Sequence, residues 1–265
     1  MKILLPLYYC LSTFYYCLST FSYCLSPITS LLLPIPFMNF LSSLSNLFFP
    51  SICPGCNTQH INEGEMICMD CHHNLPYTGF ERIENNPVEK LFWGRTNIKF
   101  ACSTLYYKID SPIQHIIHHI KYRGQEELGV FMGELMGNKL HPIFKKNEID
   151  FCLPMPLHYK KEYSRGYNQA SLLCAGIKKT TLLNYYDTLI TREINTSTQT
   201  KKSRIERWEN VEDIFNISNQ SEILDKNIVI IDDVITTGAS TEACASVLLK
   251  YGAKSVGICG LAYTI

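Results

Sequence analysis

Asp232 and Asp233 stand side by side, and Thr236, Thr237, Gly238, Ser240 and Thr241 follow them closely. Paired carboxylates accept hydrogen bonds from sugar hydroxyls or hold a divalent cation. Hydroxyls, a glycine and free backbone amides at a helix start can cradle a phosphate. A ribose phosphate meets both demands. The acids would take its 2′ and 3′ hydroxyls, and the loop would take its 5′-phosphate. An ordinary strand, turn and helix would leave two adjacent acids without a role.

A second constellation is cysteine-based. The pairs Cys53/Cys56 and Cys68/Cys71 form CPGC and CMDC knuckles separated by eleven residues. Each CxxC supplies two thiolates, and four make a tetrahedral zinc site. Pro54 and Gly55 suit the tight knuckle. A structural zinc ribbon is expected, because a module this small lacks a core of its own. His60, His72 and His73 lie close in sequence and read as surface residues. Cys102, Cys152, Cys174, Cys244 and Cys259 are scattered in apolar runs and read as small buried side chains. This cysteine usage points to a reducing cytoplasm.

The elements that must position these residues are legible from periodicity. FACSTLYYKID (100–110), IDFCLPMPL (149–157), DTLITRE (187–193), NIVIIDD (227–233) and SVGICGLAYT (255–264) read as strands. Helices are expected at 111–124, 126–140, 166–179 and 240–252. Ser111 and Pro112 signal the start of the first of these, and Gly124 its end. Its three histidines, His115, His118 and His119, read as helix surface. Apolar strands alternating with helices imply an α/β fold with a parallel sheet. Ligands bind such sheets at the carboxyl ends of the strands, where Asp232 and Asp233 fall.

The chain has 265 residues, with 24 basic and 24 acidic side chains, which excludes a globally polyanion-binding protein. Charge is uneven, however: between His158 and Arg207 there are ten Lys/Arg and four acids. Tyr159, Tyr163, Tyr167, Tyr185, Tyr186 and Trp208 interleave with these cations, a pattern compatible with single-stranded DNA as well as with pyrophosphate.

Residues 3–62 contain no Asp, Glu, Lys or Arg, and YYCLSTF (8–14) recurs at 15–21. Four prolines interrupt residues 1–37, and no compact apolar stretch or cleavage site marks a signal peptide. Residues 1–37 are expected to be a mis-assigned N-terminal extension, with translation opening at Met38. A hydrophobic membrane segment is the alternative. The expected organisation is then a zinc ribbon over 38–80 and a larger domain over 95–265.

The motif DDVITTGAS (232–240) resembles the phosphoribosyl-diphosphate (PRPP) loop of type I phosphoribosyltransferases. Together with PMPLHYKKEYSRGYNQA (154–170), TSTQTKKSRIERWENV (196–211) and the double CxxC, it resembles the ComF family from Met38 onward. The resemblance implies a type I phosphoribosyltransferase-like sheet behind a zinc ribbon, and a link to DNA uptake in natural competence. It assigns Asp232 and Asp233 to catalysis through ribose and Mg²⁺ contacts, and Thr236, Thr237, Gly238, Ser240 and Thr241 to PRPP binding. His158, Lys161 and Arg165 become pyrophosphate candidates. Asn168 and Gln169 become ligand contacts or supports of a helix start. Gln199 and Arg204 become functional residues of a hood at Gln199–Asn210. The reaction implied is displacement at C1′ of PRPP, with Zn structural and Mg accompanying the donor. Purine-salvage members carry an acid where Thr236 stands, so simple purine salvage is disfavoured, and no acceptor is named. The competing reading is a non-catalytic factor that binds single-stranded DNA or other competence proteins on the same fold.

Overall fold

The computed structural model describes residues 52–58, 61–62, 64–192 and 214–264. The extension at 1–37 and the hood residues Gln199 and Arg204 lie outside them. Beside the second cysteine pair, α1 spans Met69–His73. A 3₁₀ turn at Phe80–Arg82 and a short helix α2 (Pro87–Lys90) lead to strand β1 (Phe100–Tyr107). Helices α3 (Pro112–Tyr122) and α4 (Glu126–Lys146) precede β2 (Phe151–Pro154). Then come α5 (Tyr159–Arg165), α6 (Gln169–Thr181), β3 (Asn184–Tyr185), β4 (Ile190–Arg192) and β5 (Phe215–Ile217). The chain closes with β6 (Asn227–Ile235), α7 (Ala239–Lys250) and β7 (Ser255–Thr264).

The main sheet has the order β1-β7-β6-β2-β3, and every pair in it is parallel. Parallel neighbours joined by helices need right-handed crossovers. The β1-to-β2 and β2-to-β3 connections run one way along the sheet, and β6-to-β7 runs the other way. Helices α4 and α6 therefore cover one face and α7 the opposite face. Strand β6 lies between β7 and β2, and Ile228, Val229, Ile230 and Ile231 are fully buried. An unbroken aliphatic run is what a strand covered on both faces requires.

Helix α3 starts where its cap signals place it: the Ser111 hydroxyl accepts from Gln114 N–H at 3.4 Å. Ile113, Ile116, Ile117 and Ile120 form its buried stripe. Helices α4 and α6 meet through glycines. A Cβ at Gly176 would lie 2.0 Å from the Val130 carbonyl, and one at Gly133 would lie 2.3 Å from the Leu173 carbonyl. No larger residue allows the two backbones this distance.

Three expectations need correction. DTLITRE supplies β4, but β4 is not in the parallel sheet: it pairs antiparallel with β5 in a separate ribbon. The edge of the main sheet is the two-residue β3, because chain leaving α6 reaches Phe151 and Cys152 of β2 first. Helix α4 continues past Leu140 through Pro142 to Lys146, held by the buried Phe144. Strand β6 runs two residues beyond Asp233, since Val234 and Ile235 still pair with Ala262 and Tyr263. No described helix is long and apolar enough to cross a membrane. Buried side chains of the cysteine module and of the sheet form one connected core.

Candidate phosphoribosyl site and metal knuckles

The loop after β6 is Thr236–Gly238. Gly238 has φ 72° and serves as N-cap of α7 without any side-chain cap bond. The Ala239 amide reaches the Thr237 hydroxyl at 3.5 Å, and with no cap from Gly238 itself this helix start is where the dipole favours an anion. The left-handed backbone and the crowding both call for glycine, since a Cβ here would lie 2.9 Å from the Phe92 ring. Thr236, Thr237 and Ser240 are exposed along this loop. Thr241 is buried, and its hydroxyl donates to the Gly238 carbonyl at 2.9 Å, so it shapes the loop from beneath.

Strand alternation sends the two aspartates to opposite faces. Asp233 meets Lys121 of α3, with Nζ 2.6 Å from Oδ2. Asp232 lies on the α7 side, close enough to Cys244 to raise that thiol further after burial has done so. Asp232 Oδ1 accepts from the Asp233 amide at 2.9 Å. Desolvation, then repulsion from Asp233, push its carboxyl up to about 7. Asp232 is half-buried, and desolvation of its carboxylate is the larger of the two causes.

The remaining candidates surround the carboxyl end of β2. His158 caps α5, its Nδ1 accepting from Lys160 N–H at 3.3 Å. Lys161 is exposed on α5. Arg165 donates to Gln169 Oε1 at 2.6 Å and lies 5.2 Å from the centre of the Tyr122 ring. Asn168 is the cap of α6: its side chain accepts from Ala170 N–H at 3.0 Å and donates to the Met155 carbonyl at 3.1 Å. Asn168 and the buried Gln169 therefore support this helix start. An isolated bridge between His158 and Arg192 brings β4 alongside α5. Between them lies a cavity of about 460 Å³ lined by Pro156, Tyr159, Asn168, Asp187 and Arg192 among others.

Two residues that the sequence reading did not single out, and a third, His115, that it read as helix surface, belong to this architecture. Lys121 is the cation that faces the acid pair. Arg95 donates to the Thr237 carbonyl at 3.2 Å and ion-pairs with Glu242, tying the loop to the chain before β1. His115 Nδ1 lies 2.8 Å from the Gly55 carbonyl, which joins α3 to the first knuckle. All three act across long sequence separations, where helical spacing carries no signal.

The sulfur atoms of Cys53, Cys56, Cys68 and Cys71 all lie within 4.8 Å of one another. Cys56 and Cys68 are 3.9 Å apart, close to the spacing of about 3.8 Å that tetrahedral Zn–S bonds of 2.3 Å would impose. Amides point at the sulfurs: Cys68 N–H donates to Cys53 Sγ at 3.2 Å, and Cys71 N–H to Cys68 Sγ at 3.4 Å. Desolvation, with the adjacent thiols, holds Cys71 well above the usual thiol range. Four crowded sulfurs of this kind fit a cation that takes them as thiolates, and they could form a zinc ribbon.

A model of the phosphoribosyl transferase domain matches residues 185–264. With the all-parallel order and the loop after β6, this defines a protein of the type I phosphoribosyltransferase-like fold. Competence protein F of Haemophilus influenzae is 24% identical over 215 residues, which covers 80% of this chain and 90% of that one. DNA utilization protein YhgH of Escherichia coli is 27% identical over 159 residues, 58% of this chain and 68% of that one. Competence protein ComFC of Bacillus subtilis is 30% identical over 149 residues, 55% and 57% of the two chains. The names of these relatives, together with the matched domain, support the ComF family. A solved Trypanosoma cruzi hypoxanthine phosphoribosyltransferase is 9% identical, with a TM-score of 0.35 over 52% of this chain and 74% of that one. The fold rests on the strand order and the matched domain, not on that remote likeness.

Ionisation of Asp232 costs stability as pH rises from about 4 to about 7, because the folded state prefers its protonated form. Asp232→Asn is expected to match wild type near pH 4 and to exceed it at pH 8 by about 1–3 kcal/mol. Thermal melts of the ligand-free proteins across this range measure the difference. Purified wild type is expected to carry about one zinc per chain, and Cys53→Ser to lose it together with cooperative melting of the ribbon. Metal analysis checks both, and equal content in the two proteins would exclude the site.

Proposed function

We propose that this protein binds PRPP with Mg²⁺ at the carboxyl end of β6 and works in the cytoplasm in DNA uptake. One observation carries this reading. Two carboxylates lie near the carboxyl end of a buried strand, and three residues after that strand ends at Ile235, Gly238 opens helix α7 without a side-chain cap of its own. In this assignment Asp232 and Asp233 take the ribose hydroxyls. Thr236, Thr237, Ser240 and the α7 amides hold the 5′-phosphate, and Thr241 keeps Gly238 in place. His158, Lys161 and Arg165, after β2, are assigned to the pyrophosphate, with Gln199 and Arg204 proposed for the connection between β4 and β5. Mg²⁺ bound with the donor would supply charge neutralisation of the pyrophosphate. The chain's own part is orientation and electrostatic stabilisation. The names of the relatives, competence protein and DNA utilization protein, support the link to DNA uptake. Nine free cysteines among the described residues suit a reducing compartment.

Isothermal calorimetry with PRPP and Mg²⁺ tests the assignment. Saturable binding by wild type is expected, with a loss of at least about tenfold in Asp233→Asn, the size of one charge-assisted hydrogen bond. Undetectable wild-type binding would rule the assignment out.

A second reading rests on the surface of α5. Tyr163 is 91% exposed and Tyr159 48% exposed, and Lys160 lies 5.9 Å from the centre of the Tyr159 ring. Exposed aromatic faces among cations suit stacking on single-stranded DNA, independent of catalysis. Affinity for an oligothymidylate should then fall steeply with salt and weaken in Tyr159→Ala/Tyr163→Ala. Binding that ignores both changes would dismiss it.

A further inference from the structure

The acid pair of the proposed donor site has a cation from outside the motifs that define it. Lys121 sits in the last turn of α3, and its ammonium lies 2.6 Å from Asp233 Oδ2. Both neighbours of Lys121 touch the segment after β2. The Tyr167 hydroxyl donates to the Ile120 carbonyl, and Arg165 lies over the Tyr122 ring. Three consecutive residues thus place one ammonium between Asp233 and the segment that holds the pyrophosphate candidates. The base of α3 is fixed as well, through His115 and the Gly55 carbonyl.

Resting on the PRPP assignment, we propose that Lys121 is a pyrophosphate contact of the donor site, held in readiness by Asp233 while the site is empty. Asp233 cannot serve both a lysine and the ribose hydroxyls with the same oxygen. When the sugar takes Asp233, the ammonium is released beside a polyanion. A lysine suits this exchange: it is a compact charge on a flexible stem, with three rotatable donors and no preferred planar partner. Two of the other candidate cations are less available. Arg165 is committed to Gln169 and Tyr122, and the His158 ring nitrogen caps α5. No bond is made or broken by Lys121. Its role is to bind the leaving group and to neutralise the charge that gathers on it.

Calorimetry with three probes, each with Mg²⁺, isolates this role: PRPP, inorganic pyrophosphate and ribose 5-phosphate. Lys121→Gln is expected to weaken PRPP and pyrophosphate by roughly ten- to a hundredfold, the range of a hydrogen bond to a charged group. Ribose 5-phosphate should stay within about threefold, since the loop and the acids hold it. Lys121→Arg should restore part of the pyrophosphate affinity, and both variants should melt as cooperatively as wild type. An unchanged pyrophosphate affinity in a folded Lys121→Gln protein would overturn the proposal. So would an equal loss of all three probes, which would make Lys121 a mere support of Asp233. A wild type that binds none of the probes would overturn the PRPP assignment itself, an outcome separable from either of these.

Discussion

At the carboxyl end of β6 the hydrophobic effect and electrostatics pull against each other. Four fully buried aliphatics, Ile228 to Ile231, are stabilised by removal from water between β7 and β2. Chain continuity then carries Asp232 and Asp233 to the same sheet end, where burial penalises their charge. The conflict is not resolved inside the strand. Asp232 is pushed toward its protonated form, and Asp233 is offset by Lys121. A site built this way is electrostatically expensive when empty and favourable once hydroxyls or a cation reach the acids.

The surroundings keep that tension local. Phe92 fills the space above Gly238, and the Arg95 guanidinium bonds the Thr237 carbonyl and Glu242. The buried Asn86 side chain caps α2, accepting from Val88 N–H at 2.9 Å and donating to the Ala101 carbonyl at 2.8 Å. Chain between the cysteine module and the sheet is therefore a brace for the Thr236–Gly238 loop and not a loose linker. A second brace runs from the first cysteine knuckle through Gly55 and His115 into α3. The cysteine module and the candidate site are joined by backbone carbonyls and one imidazole.

Much of the fold was legible because local periodicity and burial agree. The runs NIVIID and SVGICGLAYT are too apolar for anything but central strands, and Ser111-Pro112 marks a helix start that the structure keeps. Reading failed where neighbours outweigh local pattern. DTLITRE has strand character, yet the sheet edge next to β2 was already taken by Asn184 and Tyr185, so it pairs with β5 instead. The short α5 escaped notice because a polar helix of seven residues has no apolar stripe to detect. The hydroxyls of the loop looked equivalent in sequence, but Thr241 turns inward and Thr236, Thr237 and Ser240 remain outside.

By itself the amino-acid order determined the parts whose chemistry is local. These are the two thiol knuckles, the acid pair ending an aliphatic strand, and the threonine–glycine turn at a helix start. Each depends on residues within a few positions of one another, so spacing alone is informative. Only tertiary structure decided which charges meet. Strand alternation parts Asp232 from Asp233 onto opposite faces, and α3 then brings Lys121 to one of them across more than a hundred residues. Coulombic contacts depend on distance in space, and a linear order does not carry that distance until the sheet has formed.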